Sequence, residues 1–135
     1  MIAVCVAVFI DQGSFGGSWV TVVGWALFGL GSIAGVGGAL SLRSNRTIFP
    51  RPKEDSRLIT GGIYRWVRHP LYASLMALGS GWALLRGSWT ALGITLVMIV
   101  FLRFKAAREE TWLTERFPDY VDYARRVARF IPGAW

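Results

Sequence analysis

Trp19-Val-Thr-Val-Val-Gly-Trp-Ala-Leu-Phe-Gly-Leu-Gly-Ser-Ile-Ala-Gly-Val-Gly-Gly-Ala-Leu-Ser-Leu42 runs for 24 residues without a charged side chain. Wound as an α-helix it is about 36 Å long, enough to cross the apolar core of a bilayer with some tilt. The rest of the chain agrees. Of its 135 residues 53% are apolar and 17% charged, whereas a soluble domain is about a quarter charged. The apolar residues come in blocks, which excludes both a soluble globular domain and a disordered chain. One integral-membrane domain over residues 1–135 is expected.

Charge orients that domain. The 15 Lys and Arg exceed the 8 Asp and Glu by seven. Seven of the basic residues fall between Arg43 and Arg68, seven between Arg103 and Arg129, and Arg86 stands apart. Basic residues stay on the cytoplasmic side of spanning helices, so both clusters are expected there. They flank apolar spans, so anionic headgroups account for them and no nucleic-acid partner is expected. Cys5 is the only cysteine and His69 the only histidine, which excludes an internal disulfide and argues against a metal site.

Met1–Ile10 is apolar but too short to span and lacks the basic start of a signal peptide. It reads either as the end of a helix beginning upstream or as a half-inserted segment. A glycine-rich turn at Asp11–Ser18 precedes the secure helix. Its six glycines are the small residues that let helices approach closely in lipid, and they admit a dimer without requiring one. Arg43–His69 is a linker, kept from helix by Pro50 and Pro52, with a turn at Thr60-Gly61-Gly62. Pro70 opens a helix to Leu85, Arg86-Gly87-Ser88 turns the chain, and a second limb runs from Trp89 to Leu102. That limb is expected to continue through Arg103–Arg116 until Pro118, with a short amphipathic helix from Asp119. The expected fold is all-α and integral to the membrane. It has three to four transmembrane helices, a C-terminal helical hairpin and a cytoplasmic amphipathic tail.

Two segments carry chemistry. In Gly62-Ile-Tyr-Arg-Trp-Val-Arg-His-Pro-Leu-Tyr72, the residues Tyr64, Arg65 and Trp66 suit headgroup depth. Interface anchoring has no particular use for an imidazole. At the start of a helix, His69 is instead placed to point a ring nitrogen at a ligand. In Arg108-Glu109-Glu110 the adjacent carboxylates project about 100° apart and cannot share one task. Glu109 has Lys105 one turn back. Glu110 has no charged neighbour on its own face, so its partner is either a basic side chain such as Arg65 or Arg68, or a ligand. The triplets Gly29-Leu-Gly31, Gly35-Val-Gly37 and Gly79-Ser-Gly81 follow no strand, so they read as packing faces rather than phosphate loops.

Arg68-His69-Pro70-Leu71-Tyr72, followed some forty residues later by Glu109-Glu110, resembles the RHPxY…EE pattern of the isoprenylcysteine carboxyl methyltransferases and their phospholipid methyltransferase relatives. Phe49-Pro-Arg-Pro-Lys53, Thr60-Gly-Gly-Ile-Tyr-Arg65 and the tail from Trp112 to Pro132 extend the likeness over roughly residues 40–132. The chain departs from the common pattern at Ser74, where many relatives have glycine, and at Ile63, where many have proline.

The resemblance implies a helical membrane enzyme that uses S-adenosylmethionine. His69, Tyr72 and Glu110 would contact the cofactor and Glu109 would support them. Gly35 and Gly37 would pack against it, and Arg68 would orient the acceptor's charged group or complete the pocket. The acceptor would be lipophilic, either a small molecule or a lipid, and nothing in the residues selects a carboxylate over an amine or a thiol. Two alternatives stand beside this one. The first is an NADPH-dependent sterol- or enone-type reductase, whose relatives usually carry Arg-Asp where this chain has Glu109-Glu110. The second is a noncatalytic membrane interaction subunit.

Overall fold

The computed structural model describes residues 16–42 and 58–133. The expectations for Met1–Ile10, Cys5, most of the first glycine-rich turn and most of the first basic cluster lie outside them. Within them the fold is helical. Helix α1 spans Ser18–Ser41, a 3-10 turn Gly62–Arg65, α2 Pro70–Arg86, α3 Trp89–Arg116 and α4 Tyr120–Arg126.

Each boundary has a local cause. Pro70 opens α2, where the amide hydrogen it lacks would have found no intrahelical acceptor. Gly87, in the left-handed region at φ 59°, ends α2. Ser88 then caps α3 by accepting a hydrogen bond from the Ala91 amide at 3.1 Å. The second limb and its charged continuation form one helix of 28 residues, because no proline or glycine interrupts the chain between Ile94 and Phe117. Pro118 stands just beyond its end.

Glycine sets the packing. Gly24 of α1 lies against Leu85 of α2, Gly31 against Leu78, Gly35 against Ser74 and Gly38 against Leu71. The helices therefore run antiparallel in constant register. The two backbones come closest at Gly81, where an added Cβ would sit 2.7 Å from the Gly24 carbonyl oxygen. Helix α3 packs on α2 in the opposite direction, with the Thr95 hydroxyl donating to the Gly79 carbonyl at 3.2 Å.

The large side chains face outward. Trp19, Val22, Trp25, Ile33 and Val36 of α1 are exposed, as are Val97, Val100, Phe101 and Phe104 of α3. Only 17% of the apolar stretch of α1 and 22% of that of α3 is buried within the chain. A soluble protein buries such helices, whereas these have their apolar surface on the outside, as a bilayer requires. Both are long and apolar enough to cross one. Tyr120, Tyr123 and Val127 form a separate cluster with Leu58, Leu113 and Phe117, seating α4 and the tail against the end of α3.

Candidate functional site

The polar residues singled out in the sequence meet at one end of the bundle, where α2 begins and α3 leaves its apolar stretch. His69 is the residue before α2, and its backbone is fixed from both sides. The Arg68 amide donates to the Ala128 carbonyl at 2.9 Å and the His69 amide to the Arg129 carbonyl at 3.0 Å. Val67 and Ala128 form an isolated parallel bridge. The tail is thus tied to the segment that carries the RHPxY residues. The Tyr123 hydroxyl adds a bond of 2.6 Å to the Tyr64 carbonyl.

The His69 ring is buried between the two carboxylates. Its Nε2 lies 3.0 Å from Glu110 Oε1 and its Nδ1 3.9 Å from Glu109 Oε2. The first is a hydrogen bond; the second is too long for one. Tyr72 stacks on the imidazole with centroids 5.4 Å apart and planes 4° apart, and Phe130 of the tail lies 5.9 Å away. The Tyr72 hydroxyl donates to Glu109 Oε1 at 2.6 Å. Glu109 thus bonds Tyr72 rather than Lys105, whose ammonium sits over the Tyr72 ring, 5.3 Å from its centroid.

Glu110, 8% exposed, gathers three groups. Arg68 Nη1 approaches Oε1 to 3.2 Å, His69 shares that oxygen, and Arg129 donates through Nε at 3.1 Å and through Nη2 to Oε2. The expected basic partner is present and is joined by a second. Arg65 instead lies over the Trp66 ring at 5.9 Å, on the outside. The 100° between neighbouring helix positions sends the two carboxylates to opposite sides of the imidazole rather than to unrelated surroundings.

Arg129 has the role the sequence concealed. It was visible only as part of the tail, sixty residues beyond His69, and no local pattern marks it as a ligand of Glu110. The parallel bridge that delivers it was equally silent, since a pair of isolated backbone bonds has no sequence signature.

A groove of about 580 Å³ opens beside this cluster, lined by Arg68, Glu110, Thr114, Tyr120, Ala124 and Arg129 among others. That is within the ~300–1,000 Å³ range of small-molecule sites. At its base the Arg68 Nε and the Tyr120 hydroxyl are buried with no hydrogen-bond partner among the described residues. Burial pushes the phenols of Tyr64, Tyr120 and Tyr123 up to about 12, the Glu110 charge adding to the effect at Tyr120. All three are therefore neutral donors at physiological pH.

Gly35 and Gly37 are met by protein. An added Cβ on Gly35 would lie 2.6 Å from Ser74 Oγ, and one on Gly37 would lie 3.3 Å from Ile63 Cδ1. Gly35 thus packs against α2 and Gly37 against the 3-10 turn. Ser74 and Ile63 are also the two positions that depart from the common pattern, so each departure sits against a glycine of α1.

Outward-facing apolar helices and a buried cluster of carboxylates, imidazole and guanidinium groups at one end define a helical membrane protein with a polar site at the end of its spans. The chain belongs to the phospholipid methyltransferase family, whose model matches residues 19–120. A protein-S-isoprenylcysteine O-methyltransferase from Schizosaccharomyces pombe is 35% identical over 81 residues, 58% of this chain and 34% of that protein. The cobalt-zinc-cadmium resistance protein CzcN of Cupriavidus metallidurans is 32% identical over 123 residues, 86% of this chain and 52% of that protein. Among solved structures, a eukaryotic intramembrane Ras methyltransferase, isoprenylcysteine carboxyl methyltransferase, superposes with a TM-score of 0.78 at 24% identity. That superposition covers 98% of this chain and 50% of the other and establishes the fold. The chain thus spans between a third and about half of the length of these proteins.

Proposed function

We propose that the protein is an integral-membrane, S-adenosylmethionine-dependent methyltransferase with a lipophilic acceptor, its site facing the cytoplasm. The observation that carries this reading is the convergence of Arg68, His69, Tyr72, Glu109, Glu110 and Arg129 beside one groove at the end of the spans. The donor set fits the cofactor. Carboxylates suit an ammonium group or ribose hydroxyls, and guanidinium groups suit a carboxylate. The Arg68 Nε, buried without a partner, is a donor still to be satisfied. When bound, S-adenosylmethionine supplies a methyl group on a sulfonium, a good leaving group that needs no covalent help from the protein.

The chain's own residues then have to position. Glu110, Arg68 and Arg129 present a fixed polar wall to the groove, His69 backs Glu110 through its Nε2, and Tyr72 and Glu109 hold the imidazole plane. Such orientation supplies a large part of the acceleration in bimolecular group transfer. Tail residues Tyr120, Ala124 and Arg129 line the groove, on the side from which a soluble cofactor would arrive, and the exposed apolar faces of α1 and α3 meet the bilayer, from which a lipophilic acceptor would arrive.

Calorimetric titration of the detergent-purified protein with S-adenosylhomocysteine, with NADPH in parallel, tests this. Binding of the first alone, lost in His69→Ala, is the expected result. Binding of NADPH alone would replace the methyltransferase with a reductase.

A further inference from the structure

The His69–Glu110 pair separates two sides of the site. On the tail side lies the groove with Arg68 and Arg129, both engaged by Glu110. On the other side Lys105 stands with no carboxylate partner among the described residues, although Glu109 is one turn away on its own helix. Its ammonium rests on the face of Tyr72, next to the Tyr72–Glu109 bond. It is about 6 Å nearer the apolar stretch of α3 than Glu109 is.

The surface leading to Lys105 is apolar and continuous. Ile94, Val97 and Phe101 precede it at spacings of three, four and four residues, which places all four side chains along one face of α3. Ile94 is 38% exposed, Val97 71% and Phe101 63%, and Lys105 is exposed as well. A charged ammonium thus ends a lipid-facing apolar stripe and touches the ring that stacks on His69. An alkyl chain lying along the stripe would bring its head group to Lys105. At a membrane boundary, where the effective dielectric is below that of bulk water, an ammonium attracts an anion and repels a cationic head.

We propose that Lys105, on the face of Tyr72, is the subsite that recognises an anionic head group, carboxylate or phosphate, on a single-chain amphiphilic acceptor lying along Ile94, Val97 and Phe101. The proposal rests on the methyltransferase reading for the word acceptor only; the amphiphile subsite stands on its own geometry. It separates the tasks of the cations, with Arg68 and Arg129 serving the groove and Lys105 the bilayer side.

The test uses the full chain in nanodiscs of zwitterionic lipid. Three dansylated C11 probes are titrated by energy transfer from tryptophan: the carboxylate, the alkyl phosphate and the neutral carboxamide. The wild type is expected to bind one or both anionic probes more tightly than the carboxamide, and the probe preferred identifies the head group. Lys105→Met should reduce the anionic-to-carboxamide affinity ratio by about tenfold, the scale of one charge-assisted hydrogen bond. Lys105→Arg should keep it within about threefold of wild type. Because a folding defect would weaken all three probes together, the ratio isolates the charge. Equal binding of all probes by the wild type, or an unchanged ratio in Lys105→Met, overturns the proposal. Titration with S-adenosylhomocysteine on the same samples keeps the two readings apart. Lys105-dependent anion binding without it would sink the methyltransferase and leave the subsite, and the converse would sink the subsite alone.

Discussion

Glu110 and Glu109 are neighbours with different tasks, and their substitutions should separate them. Glu110 holds two guanidinium groups and an imidazole in a nearly buried position. Glu110→Gln would leave Arg68 and Arg129 facing each other without a counter-charge. Breaking a fully buried pair costs about 3–5 kcal/mol, and the partial exposure of Arg129 lowers the expected loss of stability to about 1–3 kcal/mol. Glu109→Gln keeps an acceptor for the Tyr72 hydroxyl and should cost about 1 kcal/mol or less. Thermal unfolding in detergent measures both, and binding of S-adenosylhomocysteine should fall further in Glu110→Gln than in Glu109→Gln. Equal losses would mean that the two sides of the imidazole are not distinct. Of this arrangement, the identities of His69, Tyr72, Glu109 and Glu110 and their common membrane face were legible in the sequence. Which oxygen met which donor was not. The helical angle says that two side chains diverge but not what lies between them, and here it is the His69 ring.

The interlocking of α1 and α2 depends on glycines whose missing side chains are filled by the opposite helix. Gly81→Ala would drive a methyl group into the Gly24 carbonyl and the Phe28 amide. Backbone cannot yield as a flexible side chain can, so a destabilisation of about 1–3 kcal/mol is expected. Gly29→Ala and Gly93→Ala, which meet nothing within 4 Å, should be neutral or slightly stabilising through helix propensity. Ser88→Ala should cost about 1 kcal/mol by removing the cap of α3. Unfolding of the four purified variants in a detergent series ranks them, and a Gly29→Ala as damaging as Gly81→Ala would disprove the assigned register. The sequence marked these glycines as packing faces because small residues in a lipid-exposed helix have few other uses. It did not show which of them touch, since α1 and α2 are joined by a long linker whose length does not set the register.

For the whole molecule, the tail acts as a strap that closes the site. Its backbone pairs with Arg68 and His69, its Arg129 bonds Glu110, and its tyrosines bury against α3. Arg129→Met should therefore loosen a distant strand of backbone, and hydrogen exchange at the Arg68 and His69 amides should rise several-fold while the centres of α1 and α2 keep their protection. Unchanged exchange there would confine Arg129 to a local ion pair. Alkali should open the same strap. The raised values of about 12 for Tyr64, Tyr120 and Tyr123 exceed those of the unfolded chain, so the stability these phenols contribute is complete below about pH 10. It is lost as pH rises toward 12, when the unfolded state gives up its protons first. Phenolate absorbance should lag that of free tyrosine over this window, and loss of S-adenosylhomocysteine binding should accompany its rise.

Composition and patterning alone determined that this chain lives in a membrane, where its helices start and stop, and at which end of the bundle its polar residues gather. These follow from local physics: uncharged runs of bilayer length, prolines and glycines at fixed places, and polar residues gathered where a span ends. The tertiary structure decided that Arg129 completes the ion cluster and that Gly35 and Gly37 face Ser74 and Ile63. It also left Lys105 on Tyr72 without a carboxylate partner among the described residues. Each of these depends on contacts between segments far apart in the chain, where relative position is set by shape and by the satisfaction of buried charge. No residue carries that information by itself.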